Sequence, residues 1–329
     1  MRRPVLRRVL ALIAAATTLT AAMSARAFDL QGHRGARGLA PENTLPAFAA
    51  ALSIGETTLE LDTGVTADGI VVISHEPWPH PDTARGPDGQ WLRDHGPAIS
   101  SLTYAELARY DVGRLNPAAV YGKRYPEQKP ADGTRIPRLA DLFALVKRSG
   151  NTSVRFNIET KTDPRAPQTT PPPEAFARAV VSAIREAGLA GRASIQSFDW
   201  RTLKVVQAEA PDIPTVYLTA QQKWLDNVAP DSPWTAGLQI AAHGSVPKMV
   251  RAAGGRTWSP YFGDLDAGRL AEAKALGLAV IVWTVNNPAD IARMMDLGVD
   301  GIISDRPDLV RAEMEKRGMP VPATTSVAP

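Results

Sequence analysis

The chain has only five histidines, and two of them sit where chemistry could be done: His33, within Gly32-His33-Arg34-Gly35, and His75, directly after the apolar run Ile70-Val71-Val72-Ile73-Ser74. Imidazole titrates nearest neutrality, so two histidines facing one substrate can take up one proton and deliver another. A His-Arg pair between glycines lets the backbone come close to an anion. The Arg34 fork then donates two parallel charge-assisted hydrogen bonds, which suits a phosphate. Pro41-Glu42-Asn43-Thr44 follows. Asn43 or Thr44 is a natural N-cap for the helix that Pro46 opens. Glu42 has no capping duty and is free to orient Arg34 or a substrate.

Carboxylates come next. In Leu59-Glu60-Leu61-Asp62 the two-residue period of a strand puts Glu60 and Asp62 on one face. Two such groups repel unless a cation or a shared proton lies between them, and a hard divalent ion takes oxygen ligands. In Asn157-Ile158-Glu159-Thr160-Lys161 the same period pairs Glu159, a third candidate ligand, with Lys161, a candidate phosphate contact. Trp283, in Val282-Trp283-Thr284-Val285-Asn286, offers an apolar wall for the alcohol part of a substrate.

These residues need strand ends to carry them. Candidate strands are Phe28–His33, Thr58–Asp62, Ile70–Ser74, Val154–Glu159, Ala193–Ser197, Thr215–Leu218, Ala279–Thr284 and Gly301–Ser304, with a weaker one near Thr257-Trp258. Candidate helices are Pro46–Ile54, Leu139–Lys147, Glu174–Ala187, Trp200–Glu209, Ala267–Leu276 and Ala289–Leu297; Gly188, Gly277 and Gly298 are placed to end three of them. Alternation of apolar strands with helices argues for a parallel sheet covered by helices. This is the α/β class, and the strand number fits a (β/α)8 barrel of the TIM type, with a doubly wound sheet as the alternative. Residues 76–138 break the alternation, and we expect a capping insertion after the third strand. The barrel is expected over residues 28–320, followed by a disordered tail at 321–329.

The sequence pI near 9.2 comes mainly from one end. Arg2, Arg3, Arg7, Arg8 and Arg26 fall in a stretch with no acid; without them 32 basic residues face 34 acidic ones, a net charge of −2. No basic patch remains to argue for nucleic acid. Arginines, an apolar run from Val9 and Ala25-Arg26-Ala27 have the layout of a signal peptide over residues 1–27, so an exported, periplasmic or secreted protein with no stable membrane span is expected. With no cysteine, thiolate nucleophiles, disulfides and cysteine-bound zinc are excluded.

Taken together, GHRGARGLAPENTLPAF, LELDTGVTADGIVVISHE, NIETK, VWTVNNP and GVDGIISDRP resemble the glycerophosphodiester phosphodiesterase family over residues 32–307. The resemblance implies hydrolysis of a small glycerophosphodiester to sn-glycerol 3-phosphate and an alcohol. It also implies Ca²⁺ or Mg²⁺ held by Glu60, Asp62 and Glu159. By position, His33 and His75 become the acid/base pair, Arg34 and Lys161 phosphate contacts, and Glu42 a supporting acid. Glu76 departs from the pattern, since family members commonly carry Asp after the second histidine. Two rival readings remain at this point: a phosphodiesterase of intact lipids, with Trp78 and Trp91 as an apolar rim, and a non-catalytic binding protein.

Overall fold

The computed structural model describes residues 27–329; the expected signal peptide lies outside them apart from Ala27. In chain order the strands are β1 Asp29–Gly32, β2 Thr58–Val65, β3 Val71–Ile73, β4 Arg155–Thr160, β5 Ala193–Ser197, β6 Thr215–Thr219, β7 Gln221–Gln222, β8 Leu225–Asp226, β9 Thr257–Pro260, β10 Ala279–Val282 and β11 Gly301–Ser304. The α-helices are α1 Leu45–Ile54, α2 Tyr104–Leu107, α3 Leu139–Arg148, α4 Pro173–Glu186, α5 Trp200–Glu209, α6 Ile240–His243, α7 Val246–Ala252, α8 Ala267–Ala275, α9 Pro288–Leu297 and α10 Pro307–Lys316.

Pairing runs in parallel from β1 through β2, β4, β5, β6, β9, β10 and β11, and β11 pairs back onto β1 with Asp29 opposite Gly301 and Gly32 opposite Ser304. The sheet therefore closes into a (β/α)8 TIM barrel. Closure leaves no open edge and puts every strand's C-terminal end on one rim. The two-residue period sets the packing. Leu30, Leu59, Leu61, Phe156, Ile158 and Ile195 are fully buried in one cluster with helix residues such as Phe48, Leu142, Phe176 and Leu203. Between these apolar positions lie buried polar ones, including Gln31, Glu60, Asp62, Asn157, Glu159 and Gln196.

The weak candidate near Thr257-Trp258 is a barrel strand, whereas the stronger run 70–74 is not. β3 pairs antiparallel with β2, Thr63 opposite Ile73 and Val65 opposite Val71. The insertion thus leaves from a hairpin on the second barrel strand rather than from a third one. A short apolar run fits either arrangement, because periodicity is silent on pairing direction. The insertion also has a small core of its own, where Val72, Ile99, Leu107 and Ile136 are buried together.

The tail differs from expectation too. Thr325 N–H donates to Leu52 O (2.9 Å), Arg311 Nη1 donates to Pro322 O (2.8 Å), and Val321 and Val327 pack against the barrel core. Two valines and a few backbone groups finding partners are enough to lay this Pro- and Thr-rich segment along the ends of α1 and α10.

Candidate active site

At the C-terminal rim, His33 follows β1, Glu60 and Asp62 lie on β2, Glu159 and Lys161 on and after β4, Trp283 after β10, and Asp305 after β11. Barrel register levels them: Glu60 is opposite Asn157, and Asp62 opposite Glu159. His33, Arg34, Glu60, Asp62, His75, Glu159, Lys161 and Trp283 all line one cavity of about 780 Å³. Glu42 stands just outside it, behind Arg34, in a smaller cavity under the insertion. His75 comes from the loop beyond β3, held over the rim by Ser74 N–H donating to Asp62 O (3.0 Å). The two histidines converge, but from a barrel strand and a hairpin rather than from two barrel strands.

Glu60, Asp62 and Glu159 are buried and offer oxygens within 4.8 Å of one another. Burial, followed by the charge of Asp62, raises the Glu60 carboxyl well above its ordinary range. Burial lifts Glu159 to about 7 against the charge of Lys161, and the smaller repulsion from Asp62 adds to the rise. At Asp62 burial also pushes upward, but His75, Arg34 and Lys161 together hold it well below the usual carboxylate range. Asp62 Oδ1 is buried without a hydrogen-bond partner among the described residues. Three crowded carboxylates, two of them reluctant to ionise and one with an orphaned oxygen, fit a divalent cation with oxygen ligands. Gln196 Nε2 donates to Glu60 Oε1 (2.6 Å) and Arg34 N–H to Glu60 Oε2 (2.8 Å), which fixes that carboxylate in place.

Each histidine has its own carboxylate. His33 Nδ1 is 2.7 Å from Asp305 Oδ1, and His75 Nδ1 is 2.7 Å from Glu76 Oε1. The extra methylene of Glu76 does not stop it from reaching. Glu76 is drawn down to about 2: its burial pushes the other way, but the bond to His75 and the nearby charges prevail. Ionised carboxylates only accept, so Nδ1 carries the proton in both rings and Nε2 keeps its lone pair. Burial, then the Arg37 charge, lowers His33 to about 4 against the pull of Asp305, and burial with Arg34 and Lys161 lowers His75. Burial and the flanking cations thus disfavour a second proton on either ring. Lys161 Nζ lies 3.0 Å from His75 Nε2 and 3.0 Å from Glu159 Oε1.

Several of these partners carry no local sequence signal. Arg34 donates to Glu42, whose other oxygen accepts from Tyr121 O–H in the insertion; Arg37 Nη1 donates to that hydroxyl (3.0 Å) and grips Asp305 through Nε and Nη2 (2.8 and 3.0 Å). A continuous chain thus runs from Asp62 through Arg34, Glu42, Tyr121, Arg37 and Asp305 to His33, because Arg34 Nε also sits 3.2 Å from Asp62 Oδ2. Asn286 Nδ2 donates to Asp305 Oδ2 (2.7 Å). Asn43 is not the cap: Thr44 Oγ1 accepts from Ala47 N–H, while Asn43 takes a left-handed backbone (φ 56°) and donates to Asp62 Oδ2 (2.9 Å).

An aromatic wall lines the same cavity, with the Phe198 ring 5.9 Å from Lys161 Nζ. Trp283 Nε1 donates to Ser259 O (2.9 Å), and its ring meets Phe198, Tyr261 and Trp224 edge-on at 5.2, 5.6 and 6.0 Å. Trp224, between β7 and β8, remains 59% exposed. The lining is therefore divided between polar groups suited to a phosphate and apolar rings. This division matches a substrate with a charged centre and a less polar substituent.

Residues 33–309 match the model of the glycerophosphoryl diester phosphodiesterase family. A Bacillus subtilis glycerophosphodiester phosphodiesterase is 28% identical over 84% of this chain and 83% of its own length. A solved structure from Silicibacter pomeroyi DSS-3, assigned to the glycerophosphoryl diester phosphodiesterases, is 36% identical, with a TM-score of 0.79 over 89% of this chain and 95% of that one. An Oleispira antarctica phosphodiesterase, solved in complex with sn-glycerol-3-phosphate, shares the fold at 21% identity and a TM-score of 0.63, over 87% of this chain and 96% of that one. On its motifs, its barrel and these relatives, the chain belongs to the glycerophosphoryl diester phosphodiesterase family.

Proposed function

We propose that this protein hydrolyses glycerophosphodiesters to sn-glycerol 3-phosphate and an alcohol by acid/base catalysis through His33 and His75, with Ca²⁺ or Mg²⁺ at Glu60, Asp62 and Glu159. The observation that carries the reading is the convergence of two carboxylate-oriented imidazoles with the acidic trio in one cavity. The Oleispira protein, whose structure holds sn-glycerol-3-phosphate, supports the product.

A phosphodiester resists attack because its negative charge repels the nucleophile and an alkoxide leaves poorly. A divalent cation at the trio supplies charge stabilisation at the phosphoryl oxygens. Arg34 and Lys161 add fixed donors beside it, preorganised by Glu42, Asp62 and Glu159. One imidazole takes the proton from the nucleophile at its bare Nε2. The other gives one to the leaving oxygen after its own Nε2 has taken up a proton from solvent, which the bound diester anion favours. Each role is typically worth ~10²–10⁴-fold. The aromatic wall around Trp283 receives the less polar part of the substrate. The leader sequence supports an exported, periplasmic or secreted enzyme.

The test is a panel of glycerophosphodiesters incubated with Ca²⁺, Mg²⁺ or chelator, with products followed by phosphorus NMR. Metal-dependent release of glycerol 3-phosphate is expected; a transient cyclic phosphate would identify the glycerol 2-hydroxyl as nucleophile. Inertness toward every diester with either metal overturns the reading.

A further inference from the structure

One buried acid takes no part in this chemistry. Glu56, in the turn between α1 and β2, is 3% exposed. Its Oε2 accepts from Gly32 N–H (2.8 Å), while its Oε1 is buried without any partner among the described residues. Beside it lies the Gly35 carbonyl. A Cβ built on Gly32 would fall 1.9 Å from Gly35 O and 2.2 Å from Glu56 Oε1, so these two oxygens are close neighbours, packed over Gly32 Cα.

The rest of the turn is fully bonded. His33 N–H donates to Ser304 O (2.8 Å), Arg34 N–H to Glu60 Oε2 (2.8 Å) and Gly35 N–H to Glu60 O (3.1 Å). The carbonyls of His33 and Arg34 accept from Arg37 and Asn43. The Gly35 carbonyl, in a buried residue, receives no such bond from the described residues. Two lone-pair oxygens that share a buried site repel unless one carries a proton.

We propose that Glu56 is a positioning residue whose carboxylic acid group clamps the His33–Arg34 turn, accepting from Gly32 N–H through Oε2 and donating from a protonated Oε1 to the Gly35 carbonyl. One side chain then ties the entry of the turn to its exit. It does so where Arg34 (φ 53°) and Gly35 (φ 87°) hold left-handed conformations that the turn must be kept in. The direction of its titration agrees: burial raises Glu56 well above the ordinary range, and the charge of Glu60 adds to this against the Gly32 bond. The effect on turnover rests on the reading of His33 as a catalytic group; the clamp itself does not.

Glu56→Gln and Glu56→Ala separate the cases, because a glutamine amide reproduces one acceptor and one donor without a charge. Two readouts are needed: kcat and KM on glycerophosphocholine, and hydrogen exchange of the 32–37 backbone, which is independent of activity. E56Q should keep kcat and amide protection close to wild type. E56A should lose about 10- to 100-fold in kcat, more than in KM, and exchange faster in this turn. Faster exchange in E56Q, or its loss of turnover, overturns the clamp even if E56A does not fold. A folded E56A with wild-type exchange overturns it as well. Wild-type protein inert on all diesters, with the exchange pattern as expected, would sink the catalytic reading and leave the clamp standing.

Discussion

Asp305 Oδ1 accepts the Nδ1 hydrogen of His33 at 2.7 Å, joining the ends of the first and last strands of the barrel. Barrel closure makes this contact: β1 and β11 are neighbours, so residues 272 positions apart share one hydrogen bond. Asp305 stays ionised because Arg37 and His33 outweigh the burial that opposes it. It fixes the tautomer that leaves His33 Nε2 free.

Asp305→Asn should therefore cut kcat by roughly 10- to 1,000-fold with a smaller change in KM, since the amide keeps one acceptor oxygen for both His33 and Arg37 and its NH2 favours the other tautomer of the ring. The protein should also be destabilised by ~3–5 kcal/mol, because the bidentate partner of buried Arg37 is gone. Steady-state kinetics and thermal unfolding check both parts. Wild-type kcat in D305N would remove Asp305 from the account.

The acidic trio predicts how stability depends on metal and pH. Glu159, raised from 4.5 to about 7, holds its proton in the folded state where the unfolded chain has released it. The unfolded state then binds fewer protons, so stability of the chelated protein falls as pH rises from about 4.5 through 7, by up to ~3 kcal/mol from this group. Added Ca²⁺ or Mg²⁺ should raise the melting temperature most at the upper end of that window. Melting curves across pH 5–8, with and without chelator, test this; a chelated protein that gains stability over the window contradicts it.

Tyr121 ties the insertion to the rim, donating to Glu42 and accepting from Arg37. Tyr121→Phe strips a partner from the buried Arg37 and the partly buried Glu42, at a cost of ~1–3 kcal/mol. Through Arg34 it should also raise KM for the diester. Unchanged unfolding and unchanged KM would make the insertion a bystander.

Trp224 is exposed and edges onto Trp283 and Tyr261. Trp224→Ala should leave stability within about 0.5 kcal/mol. For diesters with an apolar alcohol KM should rise by roughly tenfold, and much less for glycerophosphoglycerol, because the lost area is apolar. Equal effects on both substrates would place the apolar group elsewhere.

Much of this site was readable from strand periodicity. Glu60 and Asp62, then Glu159 and Lys161, share a face because alternate residues of a strand must, and the barrel brings the two strands into register. What periodicity could not reach lies in pairings that depend on closure or on irregular chain. Asp305 meets His33 only once β11 returns to β1. Tyr121 arrives from an insertion with no repeating pattern. Asn43 looked like a cap because an adjacent threonine serves equally well in sequence; its left-handed backbone turns it to Asp62 instead. β3 read as a barrel strand because its apolar run is indifferent to direction, and the true barrel strand at Thr257–Pro260 was weak because it is short and ends in proline.

The most direct test of the central claim is turnover of glycerophosphocholine by purified His33→Ala and His75→Ala, each shown to be folded and assayed with saturating Ca²⁺ or Mg²⁺. Each variant should lose about 10²–10⁴-fold in kcat, the usual worth of one proton-transfer role. Wild-type kcat in either one would contradict two-histidine catalysis.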